Sequence, residues 1–254
     1  MANRPPTELI PVRTQQHAVV PLFDHGRGGL PARLPEVIVN RHPLPHLLHP
    51  DLVMLTRPDG ARAARFRALR HRLAERGDPR AILVTSAGPR EGKTFVATNL
   101  ALAIAELHRY RVLLVDGHLR RPELARRFGL ERGQHACLIS QVQHHREAPE
   151  SPWRVTALGR CDLHLLAISL STDRSRLLDG PTFSAAIERL QRIYDYVIID
   201  GAPVLDGPEV NLIEDSVAAL LFSARGGQTS GRQLKTAFEQ VSPTQILGLA
   251  LLGE

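Results

Sequence analysis

The feature of the sequence that most constrains the fold is a strand, a loop and a helix that follow one another between residues 81 and 108. Residues 81–85 are a short apolar run, which is typical of a buried β-strand. Residues 93–108 have the spacing of an amphipathic helix. The intervening stretch and the start of the helix, residues 88–94, have the sequence GPREGKT. This order of elements predicts an α/β structure.

The loop at residues 88–94 has the composition of a phosphate-binding loop. Small residues let backbone N–H groups approach phosphate oxygens, and the start of the following helix adds a partial positive charge. Lys93 is expected to reach the β- and γ-phosphates, and Thr94 to place its hydroxyl on Mg²⁺. Ala87 replaces the first glycine, so the usual G-x-x-x-x-G-K-[ST] pattern is not fully met. The order of strand, loop and helix nevertheless favours a phosphate loop over the alternative, a chance surface loop. The predicted nucleotide-binding residues are Gly88, Pro89, Arg90, Glu91, Gly92, Lys93, Thr94 and Phe95.

Apolar runs and helical segments alternate along the rest of the chain. Such alternation is typical of a parallel sheet that is covered by helices on both faces. We therefore predict an α/β fold with a doubly wound, mostly parallel sheet of the P-loop NTPase type. Residues 131–160 carry few signals and are expected to form loops with weak helix. The predicted strands are 81–85, 112–115, 163–167, 196–200, 217–222 and 246–252, and the predicted helices are 61–76, 93–108, 181–192 and 232–241.

The first 55 residues differ in composition from the rest, because they are rich in proline, histidine and arginine. Repeated prolines break helices, so residues 1–55 are predicted to be a flexible tail in front of a domain that spans 56–254. The short apolar stretches 18–20 and 37–39 could each dock as a strand. The histidines of this segment lack the regular spacing of metal ligands.

The net charge of +6 favours anionic partners, although arginines spread over solvated faces would give the same number. The two cysteines are far apart and indicate neither a disulfide framework nor a zinc site. No secretory signal precedes the chain, and no apolar run reaches the roughly 18 residues of a membrane span. A cytoplasmic protein is expected, which would reach the inner face of the membrane only through a partner.

Two aspartates stand at the carboxyl ends of predicted strands, Asp116 after 112–115 and Asp200 after 196–199. In parallel sheets this edge carries the ligand crevice. Asp200 fits the acidic residue that holds Mg²⁺ in P-loop enzymes, and Asp116 could bind Mg²⁺ through water or accept a proton. Either could instead cap a helix or turn. The predicted metal ligands are Thr94, Asp116 and Asp200, and the predicted catalytic residues are Lys93, Asp116 and Asp200. Arg120, Arg121 and the loop 225–229 are weaker candidates for contacts with phosphate or substrate.

From about Arg57 onward the chain resembles the bacterial tyrosine kinases (BY-kinases) of capsule and exopolysaccharide biosynthesis, within the wider MinD/ParA-type P-loop ATPases. The stretch from Asp116 to Pro122, DGHLRRP, is the most specific, because general P-loop ATPases lack it. The other matching segments are 66–70, 85–94, 99–101, 113–117 and 194–200 with Pro203.

The resemblance implies ATP- and Mg²⁺-dependent phosphorylation of protein tyrosines. Lys93 and Thr94 would bind the phosphates and Mg²⁺, Asp116 would activate the tyrosine hydroxyl or organise Mg²⁺, and Asp200 would hold Mg²⁺. The implied partners are a membrane-anchored polysaccharide co-polymerase, a tyrosine-bearing protein substrate and further copies of the chain in a homo-oligomer; no nucleic acid is expected.

The sequence departs from the family pattern at several positions. His118 replaces a second aspartate, Arg90 replaces a loop glycine, and Leu252 stands where relatives often carry a base-reading asparagine. An assembly motif keeps Arg67 and Arg70 but has Ala64 in place of glutamate. The segment Gly201-Ala202-Pro203 stands where Thr-Pro-Pro is common in the family.

Three functions therefore stay open at the level of sequence. The leading hypothesis is a protein-tyrosine kinase that regulates exopolysaccharide biosynthesis and export. Because the sequence lacks a terminal tyrosine cluster, its substrate is expected to be another protein. The alternative is a non-catalytic, nucleotide-sensing regulator of the co-polymerase, favoured by His118, by Arg90 and by the lack of that tyrosine cluster. A partition-type ATPase is the third and least favoured hypothesis.

Overall fold

The computed structural model describes residues 37–130, 137–159, 161–169 and 180–253, together with the backbone of Ala18–Val19. The described strands form one sheet of nine strands. They are β1 (Ala18–Val19), β2 (Val37–His42), β3 (Ala81–Ser86), β4 (Val112–Asp116), β5 (Trp153–Leu158), β6 (Leu163–Leu166), β7 (Tyr196–Pro203), β8 (Ala219–Arg225) and β9 (Ile246–Leu252). The helices are α1 (Val53–Thr56), α2 (Ala61–Glu75), α3 (Lys93–Ala105), α4 (Leu124–Arg127), α5 (Leu138–Glu147), α6 (Gly180–Gln191) and α7 (Gly231–Phe238).

The strand order across the sheet is β1-β2-β5-β6-β4-β7-β3-β8-β9. All neighbours are parallel except the pairs β1/β2 and β5/β6. β3, which carries the predicted phosphate loop, lies in the interior between β7 and β8. The predicted doubly wound, mostly parallel sheet is thus confirmed.

A hydrophobic core lies on each face of the sheet, because side chains alternate along every strand. On β3, Leu83 joins the core beneath α5, α6 and α7, whereas Ile82 and Val84 join the core beneath α2 and α3. β3, β4 and β7 are buried along their whole length, which explains why each is a nearly continuous apolar run. α3 is buried on nearly all sides between the sheet and α2.

The predicted tail is wrong from residue 37 onward, because this part of the chain belongs to the domain. β2 pairs in parallel with β5 over six residues, from Val37 against Trp153 to His42 against Leu158. β1 pairs with β2 at Ala18 and Val19. The rest of the predicted tail, 1–17 and 20–36, lies outside the described residues, and its separation from the domain stays a prediction.

The region 131–160, expected to form loops with weak helix, contains the helix α5 and also the strand β5, which was not predicted. In β5 the exposed Arg154 lies between the buried Trp153 and Val155. A strand of six residues that carries a charged residue at its second position is a weaker signal than the continuous apolar runs of the interior parallel strands. Residues 131–136 and 160 lie outside the described part of the chain. Nowhere in the described residues is there a helix with the length and apolar character needed to cross a membrane.

Candidate nucleotide-binding site

The predicted site residues meet at the carboxyl ends of three adjacent interior strands, β4, β7 and β3. β3 runs into the phosphate loop, and the loop runs into α3, which begins at Lys93. Asp116 ends β4 and is the register partner of Asp200 on β7. A crevice at this edge of a parallel sheet is where open α/β folds bind ligands.

The phosphate loop is fixed by bonds within its own segment. The Gly88 N–H donates to Glu91 Oε2 at 3.1 Å, and the Ser86 hydroxyl donates to the Gly88 carbonyl oxygen at 2.6 Å. Gly92, the residue before α3, has φ 87°, in the left-handed region that favours glycine. Arg90 also lies in this region, with φ 60°, although it carries a side chain. Such backbone strain in a non-glycine residue tends to be retained where a loop has to present its groups in one way.

Lys93 is a buried cation at the mouth of the loop, with only 6% of its surface exposed. Burial lowers its pKa, while the carboxylates of Asp200 and Glu91 act in the opposite direction. A buried ammonium that faces carboxylates is well suited to bind a polyanion, since the phosphates would complete its charge compensation.

Asp116 and Asp200 are both buried, with exposures of 0% and 1%. Burial raises the pKa of Asp116 well above its usual range, and the negative charge of Asp200 raises it further. Burial also raises the pKa of Asp200 to about 6, against the opposing effects of the Thr94 hydroxyl and Lys93. The main-chain N–H groups of His118, Leu124 and Ile168 approach Asp116 and oppose the rise in its pKa, but within the described residues neither of its carboxylate oxygens has a side-chain partner. Asp200 Oδ1 has no hydrogen-bond partner among these residues.

These orphaned oxygens fit a Mg²⁺ site that a nucleotide would complete. The described residues contain no group of three or more His, Cys, Asp or Glu that could hold a metal by themselves. Mg²⁺ in nucleotide sites is commonly held by one or two protein oxygens together with phosphates and waters. Thr94, Asp116 and Asp200 supply a hydroxyl and two carboxylates of that kind.

A groove of about 490 Å³ adjoins the phosphate loop between α2, the start of α3 and the ends of β8 and β9. Phe95, Arg225 and Leu252 line it. Phe95 was predicted to bind nucleotide, and Arg225 was a weaker candidate. Leu252 packs directly against Gly92. A Cβ placed on that glycine would overlap Leu252 Cδ1, so a glycine at position 92 leaves the room for this contact.

His118 lies half-buried near Lys93. Burial, reinforced by the positive charge of Lys93, lowers the pKa of His118 to about 4, so the imidazole is neutral at physiological pH. Arg120, predicted to face phosphate or solvent, pairs through Nε with the buried carboxylate of Glu209 at 2.7 Å. Arg121 is exposed. Glu209 was not singled out from the sequence, because a lone glutamate after a strand carries no signal.

A set of polar contacts that was not predicted from the sequence, here called the polar clamp, holds residues 51–54 on α3. Asn99 is fully buried; its amide donates to the carbonyl oxygen of Asp51 at 2.7 Å and accepts from the Met54 N–H at 3.1 Å. Arg127 of α4 pairs with the side chains of Asp51 and Glu123. Both Arg127 and Glu123 lie close enough to Asp200 to affect its pKa.

The two arginines of the predicted assembly motif bind within the chain. Arg67 Nε donates to Glu106 Oε2 at 2.8 Å, and Arg70 Nη1 lies 3.4 Å from the same oxygen. Glu106 follows α3 directly. It therefore supplies an acidic partner to both arginines, although Ala64 stands where the motif has glutamate. Whether these residues also form contacts between copies of the chain stays a prediction.

No protein-family model matches the chain. It is 29% identical over 171 residues to the tyrosine-protein kinase ptk of Acinetobacter johnsonii, covering 63% of this chain and 21% of ptk. It is 26% identical over 177 residues to the tyrosine-protein kinase CpsD of Streptococcus pneumoniae, covering 67% of this chain and 74% of CpsD. It is 26% identical over 185 residues to the succinoglycan biosynthesis transport protein ExoP of Rhizobium meliloti, covering 68% and 22%. The chain thus spans about a fifth of the length of ptk and ExoP.

Two solved structures show the same fold. The kinase domain of the Escherichia coli tyrosine kinase ETK matches with a TM-score of 0.68 and 24% identity, over 80% of this chain and 79% of that one. The septum site-determining protein MinD of Pyrococcus horikoshii, complexed with Mg-ADP, matches with a TM-score of 0.55 and 18% identity, over 68% of each chain. The chain is therefore a relative of the bacterial tyrosine kinases, with the fold that their kinase domains share with MinD-type P-loop ATPases.

Proposed function

We propose that this chain is an ATP- and Mg²⁺-dependent protein-tyrosine kinase that regulates exopolysaccharide biosynthesis and export. The observation that carries the proposal is the buried carboxylate of Asp116, which lies beside Asp200 and the phosphate loop and has no side-chain partner among the described residues. A buried carboxylate without a charged partner is costly to folding, so its position at a ligand crevice argues for a chemical role. The curated relatives supply the reaction class.

In the proposed reaction the tyrosine oxygen forms a bond to the γ-phosphorus, and the bond from that phosphorus to the β–γ bridging oxygen breaks. Asp116 accepts the phenolic proton, which its raised pKa favours. Lys93 holds the β- and γ-phosphates, and the N–H groups of the loop and of the first turn of α3 surround them. Asp200 and Thr94 hold the metal side of the site. When bound, Mg²⁺ would neutralise the charge that develops on the phosphate oxygens.

The neutral His118 fits this arrangement. An imidazolium beside Lys93 would add a second cation and compete for the carboxylates of Asp116 and Asp200. Because its pKa is near 4, His118 instead offers an uncharged nitrogen at physiological pH. The chain therefore keeps two carboxylates for the metal and the proton, without the additional aspartate of the family pattern.

The second candidate is a nucleotide-sensing regulator of the polysaccharide co-polymerase that transfers no phosphate. Arg90 favours the regulator. Its backbone has φ 60° and its side chain is exposed on the phosphate loop, where a guanidinium can bind the γ-phosphate without catalysing its transfer. In either role the partner would be a membrane-anchored co-polymerase, and the chain would act at the cytoplasmic face of the membrane. The similarity to ExoP supports this partner and this setting.

The test is phosphotyrosine formation on a random glutamate–tyrosine copolymer with MgATP, with and without the cytoplasmic segment of a co-polymerase. Asp116→Asn and Asp200→Asn should each abolish the signal. Lys93→Ala should lose both the signal and stabilisation by MgATP. Lys235, the only other lysine in the sequence, is exposed and gives a matched control, Lys235→Ala, that should retain both.

Two outcomes would contradict the kinase assignment. Unchanged phosphotyrosine in Asp116→Asn would remove the proton acceptor from the mechanism. Stabilisation of the wild type by MgATP without any phosphotyrosine would favour the regulator. At a ligand concentration of about a hundred dissociation constants, stabilisation should be about 2.7 kcal/mol.

A further inference from the structure

A second cavity lies outside the nucleotide site, between α5 and α6. It has a volume of about 440 Å³ and opens to solvent as a groove. Val142, Pro149 and Ala185 provide apolar lining. The polar lining includes His145 and Arg146 of α5 and Arg189 of α6. The volume lies in the range of known ligand-binding pockets.

His145 is the group that most needs an explanation. Its side chain is 6% exposed and stacks on Trp153, with ring centroids 4.0 Å apart and an interplanar angle of 21°. Neither ring nitrogen has a hydrogen-bond partner among the described residues; the main chain at Pro149 approaches the ring without completing a hydrogen bond. A neutral imidazole always carries one N–H donor, and leaving a buried donor unsatisfied costs about 1–3 kcal/mol.

The charges around His145 show what could satisfy it. Neither Arg146 nor Arg189 forms an ion pair with any carboxylate in the described ranges. Both are pure donors, so together with the imidazole N–H the groove presents several donors to a ligand. The two guanidinium groups, exposed in Arg146 and half-buried in Arg189, favour an anionic acceptor. The apolar lining favours an aliphatic or aromatic group next to the anion.

We propose that the groove between α5 and α6 binds an acidic peptide segment of a protein partner, in which a glutamate or aspartate lies beside an apolar residue. The carboxylate would pair with Arg146 and Arg189 and accept the N–H of His145, and the apolar side chain would contact Val142 and Ala185. An open groove between two helices suits an extended or helical peptide. This interaction does not involve the phosphate loop, so it stands or falls independently of the kinase activity.

Trp153 is the only tryptophan in the sequence, so its fluorescence reports on this groove alone. The probe is the capped hexapeptide Glu-Leu-Glu-Leu-Glu-Leu, titrated into the full chain. The matched Gln-Leu hexapeptide and free 4-methylpentanoate are the controls. We expect a saturable change in Trp153 emission with the acidic peptide and none with either control. Isothermal titration calorimetry gives the affinity without relying on fluorescence.

Three variants separate recognition from folding. Arg146→Gln and Arg189→Gln should each weaken binding about tenfold, whereas Arg192→Gln, exposed just beyond α6, should leave it unchanged. His145→Phe keeps a flat ring on Trp153 but removes both nitrogens. It should weaken binding without lowering the urea midpoint of unfolding, because the nitrogens have no hydrogen-bond partner in the part of the chain that the structure describes.

Several results would overturn the proposal. Equal binding of the Gln-Leu peptide would show that the groove recognises apolar groups alone, and equal binding of 4-methylpentanoate would show a small-molecule site. No binding by either method would show that the groove does not bind acidic peptides. A large loss of stability in His145→Phe would show that the imidazole has a structural role instead.

Discussion

Gly92→Ala is the substitution whose consequences the structure specifies most closely. Gly92 stands before α3 with φ 87°, where an alanine costs about 1–2 kcal/mol. The added methyl group would also overlap Leu252 Cδ1. Leu252 is only partly buried, so it can move, and the steric cost should lie at the low end of the roughly 1–3 kcal/mol typical of overpacking. We expect a total loss of about 2–3 kcal/mol in the free energy of unfolding.

Urea denaturation of four proteins separates the two costs: the wild type, Gly92→Ala, Leu252→Ala and the double variant. Leu252→Ala removes the steric overlap but leaves the left-handed backbone in place. The double-mutant cycle should therefore return about 1 kcal/mol as the coupling between the two sites, with the backbone cost remaining. Adding MgATP to the same samples should stabilise the wild type and Leu252→Ala, but not the two proteins that carry alanine at position 92.

An unchanged urea midpoint in Gly92→Ala would refute the argument, because the loop would then tolerate a side chain at this position. Complete rescue by Leu252→Ala would refute the backbone part and leave only the steric part. Retained stabilisation by MgATP in Gly92→Ala would show that the conformation of the loop is not needed for phosphate binding.

The pKa of His164 is lowered to about 4 by burial, so between about pH 6.5 and 4 the unfolded chain binds more protons and stability falls as the pH falls. His164→Gln should reduce the loss of unfolding free energy between pH 7 and 4.5 by at most about 3 kcal/mol, measured by urea unfolding at the two pH values. An identical pH dependence in the variant and the wild type would contradict this prediction. Asn99→Ala should lower the free energy of unfolding by about 2–4 kcal/mol, because it leaves the buried Met54 N–H unpaired; urea denaturation at neutral pH tests this, and a loss below about 1 kcal/mol would argue against the clamp. Glu106→Gln should cost less than about 1 kcal/mol in the same assay, since its pair with Arg67 is partly exposed, and a larger loss would show a stronger network.

The central part of the fold could be predicted because its signals are local. The strand, loop and helix at 81–108 and the aspartates that end β4 and β7 are each visible within a few residues of sequence. Parallel interior strands are buried on both faces, so their apolar runs are nearly continuous. Because such strands end at one edge of the sheet, the proximity of Asp116 and Asp200 followed from their positions alone.

The strands at one edge of the sheet were harder to predict, because their sequence patterns are weak. β2 is part of a proline-rich segment, and its parallel pairing with β5 joins residues more than a hundred positions apart. β5 itself is a short strand in which the exposed Arg154 interrupts the buried residues. Neither pattern distinguishes a strand from a loop until the partner is in place.

The sequence by itself determined which residues are the candidates for the phosphate site, since loop, strand end and helix start are contiguous or repeat a local pattern. Only the tertiary structure decided what surrounds them. It placed Leu252 against Gly92, fastened Asp51 to Asn99, and gave Arg67 an acidic partner in Glu106. It also left the imidazole nitrogens of His145 buried without a hydrogen-bond partner among the described residues, in a groove between two helices. Each of these arrangements involves residues that are far apart in the sequence or that belong to no recognisable motif. Such contacts depend on how the helices pack on the sheet rather than on any local propensity.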